Sequence, residues 1–210
     1  GNARPMVIKC AYVVMDLRDN QDSSENQQKR QSINVPIGSF CDCATSTYYG
    51  LASPSGMLAG AGSGLWVPNR GEAELLWIAG CGYVSYKISN LGLKKKELTN
   101  FSFSLELCSE TSTYNNRWES DITFWLNGVE LCAYHSPGDF GGRRGMNNPE
   151  WWQGHMSQYG QLVTVSVTNE GTYLNNTRVS DCILGQLKLG KGDCFELKIG
   201  VKENARSCGG

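Results

Sequence analysis

Asp121-Ile-Thr-Phe-Trp-Leu126 and Val129-Glu-Leu-Cys-Ala-Tyr134 flank the dipeptide Asn127-Gly128. Asn-Gly between two alternating apolar runs is the strongest short-range hairpin signal, because both residues accept the positive φ that a tight turn requires. Closing the chain there pairs Leu126 with Val129, Phe124 with Leu131 and Ile122 with Ala133. All six are apolar, so the register predicts one consistent core face. The other face carries Trp125 beside Glu130. A second run, Phe101 to Leu107, sets Phe101, Phe103, Leu105 and Leu107 against Ser102, Ser104 and Glu106, the period of a strand with one dry side.

Outward from these segments the same grammar repeats. Strands are predicted at Val7 to Met15, Ser32 to Ile37, Ser39 to Cys43, Glu72 to Ile78, Tyr83 to Ile88, Gln161 to Val167, Arg178 to Leu184 and Cys194 to Val201. Asp16 to Gln31 reads as polar linker, Ser53 to Gly64 as an irregular glycine-rich loop, and Lys94-Lys95-Lys96 as solvated loop. No apolar pattern of helical period lasts three turns, so the chain is predicted all-β. Roughly nine or ten strands suit a β-sandwich of the jelly-roll, galactose-binding-like type. The 210 residues, 40% of them hydrophobic, suffice for one such domain. Residues 1–31 are then an N-terminal strand and linker, and 32–210 the ligand-binding sandwich.

Net charge is -1, which excludes broad attraction to phosphate backbones. The nine cysteines are odd in number and several sit within strand runs, as expected of buried thiols in a reducing compartment. The chain opens Gly1-Asn-Ala-Arg-Pro5 and so reads as processed or cut. With no signal peptide or transmembrane run visible, a cytoplasmic location and no membrane contact are expected.

His135 to Gly160 joins the hairpin to the next strand, and a connection of this length is either functional or disordered. Its aromatic content argues for order. Phe140, Trp151, Trp152 and Tyr159 offer flat apolar faces suited to sugar C–H groups. Arg143 and Arg144 match carboxylates or phosphates, and Asp139 would fix polar groups. Trp118, in the turn before the hairpin, and Trp125 complete the expected ligand-binding set. A sugar or sugar acid is the expected ligand. Against this stands the plainer possibility that the tryptophans plug the end of the sandwich as a local core. His135 and His155 lack metal-ligand spacing, Cys41-Asp-Cys43 alternates as a strand, and Ala59 to Gly64 lacks the ending of a phosphate loop. No metal or other cofactor is therefore expected. Glu119, Asp121, Asp139 and Glu150 could furnish a glycosidase pair, but carboxylates are common and binding is preferred to catalysis.

Several longer matches add to this reading: Asn34-Val-Pro-Ile-Gly38, Tyr49-Gly-Leu-Ala-Ser53, Leu76-Trp77 and Gly82-Tyr-Val84. Ser120-Asp-Ile-Thr-Phe-Trp-Leu-Asn-Gly-Val-Glu130 is followed by Ser136-Pro-Gly-Asp-Phe-Gly-Gly-Arg-Arg-Gly145. Asn148-Pro-Glu-Trp-Trp152, Gln158-Tyr-Gly160, Arg178-Val-Ser-Asp181 and Ile199-Gly-Val-Lys-Glu203 complete them. From about residue 32 onward the chain resembles the C-terminal region of ArsR-like bacterial helix-turn-helix transcriptional regulators of the Firmicutes type. The resemblance implies a sensor region, whose DNA contact would be made by an N-terminal winged helix that this sequence does not contain. It also implies a last strand beyond Gly209-Gly210. Two other readings differ in class: a secreted carbohydrate-binding module or glycosidase, and a dimerisation element whose aromatic loop meets a second subunit in a homodimer.

Overall fold

In the computed structural model, residues 5–18, 28–45, 48–60, 62–90 and 97–209 are described. The expected linker Asp16 to Gln31 is overturned at both ends, because 16–18 and 28–31 pair as strand through backbone hydrogen bonds; its middle, 19–27, and the Lys94-Lys95-Lys96 run lie outside the described residues. Fourteen strands form among the described residues. They are β1 (Pro5–Arg18), β2 (Gln28–Val35), β3 (Asp42–Ala44), β4 (Tyr49–Ser53), β5 (Gly56–Ala59), β6 (Leu75–Ala79) and β7 (Gly82–Ser89). β8 (Glu97–Ser109), β9 (Ser120–Leu126), β10 (Val129–Ser136), β11 (Gln161–Val167), β12 (Thr172–Leu174), β13 (Thr177–Ser180) and β14 (Cys194–Val201) follow. Short 3-10 turns at Ile37–Ser39, Arg70–Glu72 and Leu184–Gln186 are the helical elements among the described residues.

A nine-stranded sheet runs β13-β12-β11-β8-β1-β6-β4-β5, with β2 added along β1, and a five-stranded sheet runs β10-β9-β14-β7-β3. Every pairing is antiparallel. The chain changes layer between β2 and β3, β3 and β4, β6 and β7, β7 and β8, β8 and β9, β10 and β11, and β13 and β14. The N-terminal strand β1 is no appendage, since it sits between β6 and β8 at the centre of the larger sheet.

The predicted class is the one that forms, an all-β sandwich. Phe101, Phe103, Leu105 and Leu107 of β8, with Val163, Val165 and Val167 of β11, face Ile122, Phe124 and Leu126 of β9 and Phe195, Leu197 and Ile199 of β14. Ring contacts cross the gap. Phe101 meets Phe195 at 5.3 Å between centroids, and Phe103 meets Phe124 at 5.3 Å, both edge-to-face. That geometry sets the positive ring edge against the negative ring face.

The Asn127-Gly128 turn closes as predicted, with φ of 48° and 78°. Two residues on, the expected register fails. A bulge after Glu130 leaves Leu131 without a partner, so Phe124 pairs with Cys132 and Ile122 with Tyr134. An inserted residue of this kind shifts every later side chain by one. Tyr134 is buried where Ala133 was expected, Ala133 is exposed, and Leu131 and Cys132 are both buried. The glycine-rich stretch 53–64 also differs from expectation, since β4 and β5 form a hairpin across Pro54 and Ser55. Arg178 to Leu184 is shorter than predicted, stopping at Ser180 before a 3-10 turn.

Asn127 joins the hairpin to β14 and to the turn that precedes it. Its amide donates to the Leu187 carbonyl at 2.8 Å and accepts from the Glu196 backbone N–H at 2.9 Å. Asn127→Ala removes both bonds and places a Cβ residue without local compensation at positive φ, so stability should fall by about 2–4 kcal/mol in urea unfolding. A loss below about 1 kcal/mol would show that the turn is held by the flanking strands alone.

Candidate functional site

Strand β6 explains where the loop tryptophans go. All five of its residues are buried, whereas a sheet with one wet face would bury every second one. Leu76 and Ile78 point into the sandwich, while Leu75 and Trp77 point away from it and form a second cluster with Ala52, Cys108 and Trp152. The segment after β10 folds back over this outer face. Trp152 is 4% exposed, meets Trp77 edge-to-face at 5.6 Å and donates its Nε1–H to the Ser157 carbonyl at 2.8 Å. Trp151 is half-buried, packs on Trp152 at 5.4 Å and donates to the Ser53 carbonyl at 3.0 Å.

The loop is thus built as an ordered plate. Arg144 donates to the carbonyls of Pro149, Glu150 and Trp152, closing the turn that presents both tryptophans. Asp139, expected at a ligand, is fully buried; its carboxylate accepts from the Thr111 N–H at 2.9 Å, and its own N–H donates to the Asn115 carbonyl at 3.0 Å. Two of the loop glycines are required by close approach. A Cβ at Gly145 would lie 1.6 Å from the Gln158 carbonyl oxygen, and one at Gly141 would lie 2.0 Å from the Tyr114 ring. Trp152 and Asp139 therefore sit inside the protein as anchors and do not face solvent.

Three other predicted residues make a surface feature. Phe140 and Tyr159 stack at 5.4 Å with 13° between ring planes, and the Arg143 guanidinium lies 4.1 Å above the Tyr159 centroid. Arg143 has no carboxylate partner among the described residues. Beside this stack opens a cavity of about 420 Å³, lined by Arg143, Arg144 and Tyr159 and also by Glu106, Met146 and Leu162. Met146 is 99% and Leu162 68% exposed. Glu106, on the outer face of β8, accepts from the Gly160 N–H at 2.7 Å and from the Asn147 side chain at 2.6 Å, so it fixes the rim.

Trp125 lies elsewhere, on the outer face of the five-stranded sheet. There a cavity of about 600 Å³ is lined by Tyr83, Trp125, Lys198, Cys81, Lys202 and Glu203 among others. The Lys198 ammonium sits 4.0 Å from the Tyr83 centroid and 5.2 Å from that of Trp125. Trp118 is half-buried ahead of β9 and lines neither cavity. Sequence reasoning thus merged two places into one. It missed Glu106, Met146 and Leu162 at the first, and Tyr83 and Lys198 at the second. Tyr83 and Lys198 alternate with the core residues Val84, Leu197 and Ile199, so strand period could have shown them facing outward.

At the loop's start, His135 Nδ1 lies 2.8 Å from Asp121 Oδ1, and Asp121 Oδ2 accepts from the Ser207 N–H at 2.9 Å. Burial pushes the Asp121 carboxyl upward, but the bonds from His135 and Ser207 and the charges of His135 and Arg206 outweigh it and hold it below the usual range. No group of three or more metal-ligating side chains is present among the described residues. No helix among them is long and apolar enough to cross a membrane. Searches of family models, curated proteins and solved structures gave no match.

Trp152→Ala should cost about 3–5 kcal/mol in chemical denaturation, the usual loss for emptying a buried aromatic site. A near-neutral result would contradict its placement in the outer cluster. The Asp121 contribution has a defined sign. Because its folded pKa is depressed, the stability it adds is full above the ordinary carboxylate range and is lost as pH falls through the lowered value. Asp121→Asn should therefore flatten the acid limb of the stability–pH curve, and an unchanged limb would show that Asp121 adds nothing there.

Proposed function

We propose that this chain is a non-catalytic ligand-binding domain whose site is the cavity beside Arg143 and Tyr159, and that it takes a small acidic saccharide. The observation that carries the reading is the Phe140–Tyr159–Arg143 stack. Stacking fixes the guanidinium plane before any ligand arrives, and a fork with no carboxylate partner among the described residues suits a carboxylate or phosphate. Tyr159, Met146 and Leu162 supply apolar surface for the ring of a sugar. A cavity of about 420 Å³ lies within the range of small-molecule sites.

The placement of the carboxylates supports binding over hydrolysis. A glycosidase general acid has a raised pKa, whereas Asp121 is held low, and Asp139 is fully buried and lines neither cavity. In the wider reading, this domain is the sensor part of a cytoplasmic transcription regulator of the ArsR-like type, and ligand acts on a DNA-binding part outside this chain. That step rests on the resemblance of residues 32–210. The sandwich subtype follows the same line. The repeated changes of layer between successive strands support a jelly roll.

The test is a thermal-shift screen with glucuronate, galacturonate and sugar phosphates, scored on the wild type and Arg143→Ala. A ligand at a hundred times its Kd adds about 2.7 kcal/mol to the native state. The expected result is a rise in Tm that Arg143→Ala removes while its own unliganded Tm stays within a few degrees. Absence of any shift, together with a dimer whose association is broken by charging Met146 and Leu162, would replace the reading with an interface role for this loop.

A further inference from the structure

The second cavity holds chemistry that a saccharide site does not need. Cys81, in the turn between β6 and β7, lines it, and Cys208, in the tail after β14, contacts the Cys81 thiol from behind that lining. Both thiols reach one acceptor. Cys81 Sγ lies 3.5 Å and Cys208 Sγ 3.8 Å from the Lys202 carbonyl oxygen. Both residues are partly exposed. The two thiols also hydrogen-bond to each other, which brings together the sulfurs of segments far apart in sequence.

The walls of the cavity are charged in a particular way. Lys198 is held over Tyr83 and beside Trp125 and has no carboxylate partner among the described residues, whereas Lys202 is paired with Glu130 at 2.8 Å. Glu203 lines the same cavity. A cation and an anion facing one cavity match a zwitterion, with Lys198 for a carboxylate and Glu203 for an α-ammonium group.

We propose that Cys81 and Cys208 form a thiol–disulfide exchange site for a low-molecular-weight disulfide of amino-acid type, bound in this cavity. The Cys81 thiolate attacks one sulfur of the small disulfide; its S–S bond breaks, and one small thiol leaves with the proton that Cys81 gave up. Cys208 then attacks the Cys81 sulfur of the mixed disulfide and releases the second small thiol. Two protein thiols are oxidised to one disulfide, and one small disulfide is reduced to two thiols. Burial and the adjoining Cys208 thiol hold the Cys81 pKa above its ordinary value, so Cys81 is no indiscriminate nucleophile. Selectivity comes from seating the reagent and from the nearby resolving thiol. The bond would tie the tail to the β6–β7 turn at the cavity mouth.

The reduced full chain is incubated with glutathione disulfide, alkylated under denaturing conditions and mapped by peptide mass spectrometry. Wild type should yield a Cys81–Cys208 crosslink. Cys208→Ser should accumulate glutathione on Cys81, and Cys81→Ser should give neither product at these positions. Lys198→Met should slow the reaction with glutathione disulfide roughly tenfold, the scale of one charge-assisted contact, while leaving uncharged hydroxyethyl disulfide unaffected. Adducts confined to the exposed Cys41 and Cys194, or a crosslink between other cysteines with Cys81 untouched, would overturn the pair. Equal rates for Lys198→Met and wild type with glutathione disulfide would overturn the seat.

Discussion

Strand β8 is asked to satisfy two environments at once, and the rest of the molecule follows from how it does so. Its inward side chains, Phe101, Phe103, Leu105 and Leu107, are at most 2% exposed and meet the five-stranded sheet through edge-to-face rings. Four residues of this size remove several hundred Å² of apolar surface from water, a gain of about 6–12 kcal/mol before entropy is counted. Its outward residues are less uniform. Ser104 hydrogen-bonds to Thr164 of β11 at 2.8 Å, Glu106 grips two points of the long loop, and Cys108 is buried under it. One strand therefore fixes both the sandwich and the plate laid over its back.

That plate exists because β6 would otherwise show Leu75 and Trp77 to solvent. Covering them consumes Trp152 and half of Trp151, and holding those in place consumes Arg144 and Asp139. What the loop presents outward is the remainder: Arg143 over Tyr159, with Met146 and Leu162 beside them. The fork of Arg143 is immobilised by a ring that is itself immobilised by Phe140. Less freedom is then lost when an anion binds than for an arginine free in solvent. The structural loop residues and the solvent-facing ones are thus two populations in one segment.

The sequence made strand period and the Asn127-Gly128 turn legible, because both are local. Gln161 to Val167 and Cys194 to Val201 match β11 and β14 residue for residue. The bulge at Leu131 was not legible. Leu131, Cys132 and Tyr134 are all acceptable core residues, so the apolar pattern alone does not say which one the strand leaves unpaired. β4 and β5 were hidden by glycines, whose freedom reads as loop although β4 is held between β5 and β6. Within the site, the loop's importance was legible from its length and rings, but the direction of each ring was not. Whether Trp152 faces a ligand or the back of β6 depends on Leu75 and Trp77, more than seventy residues away in the sequence. Trp125 was grouped with the loop because its chemistry matched, although a hairpin and two layers separate them.

The two cavities lie on different sheets, yet Asp121 touches elements leading to each. Its Oδ1 faces His135, where β10 hands over to the loop, and its Oδ2 and N–H bind Ser207, next to Cys208 in the tail. The tail continues to Gly209, where a Cβ would fall 2.0 Å from the Glu119 carbonyl oxygen, so it has little room to shift alone. A bond between Cys81 and Cys208 would act on this same short tail. Contact of this kind transmits nothing unless one of the partners has two arrangements. The tail is held by Asp121, by the Lys202–Glu130 pair, by the Cys81 and Cys208 thiols on the Lys202 carbonyl, and by backbone bonds from Glu110 to Gly209 and from Ala205 to Lys202. If redox state is felt at the loop cavity, it is through the hold of this tail on Asp121, and Asp121→Asn would cut that route while leaving both cavities lined as they are.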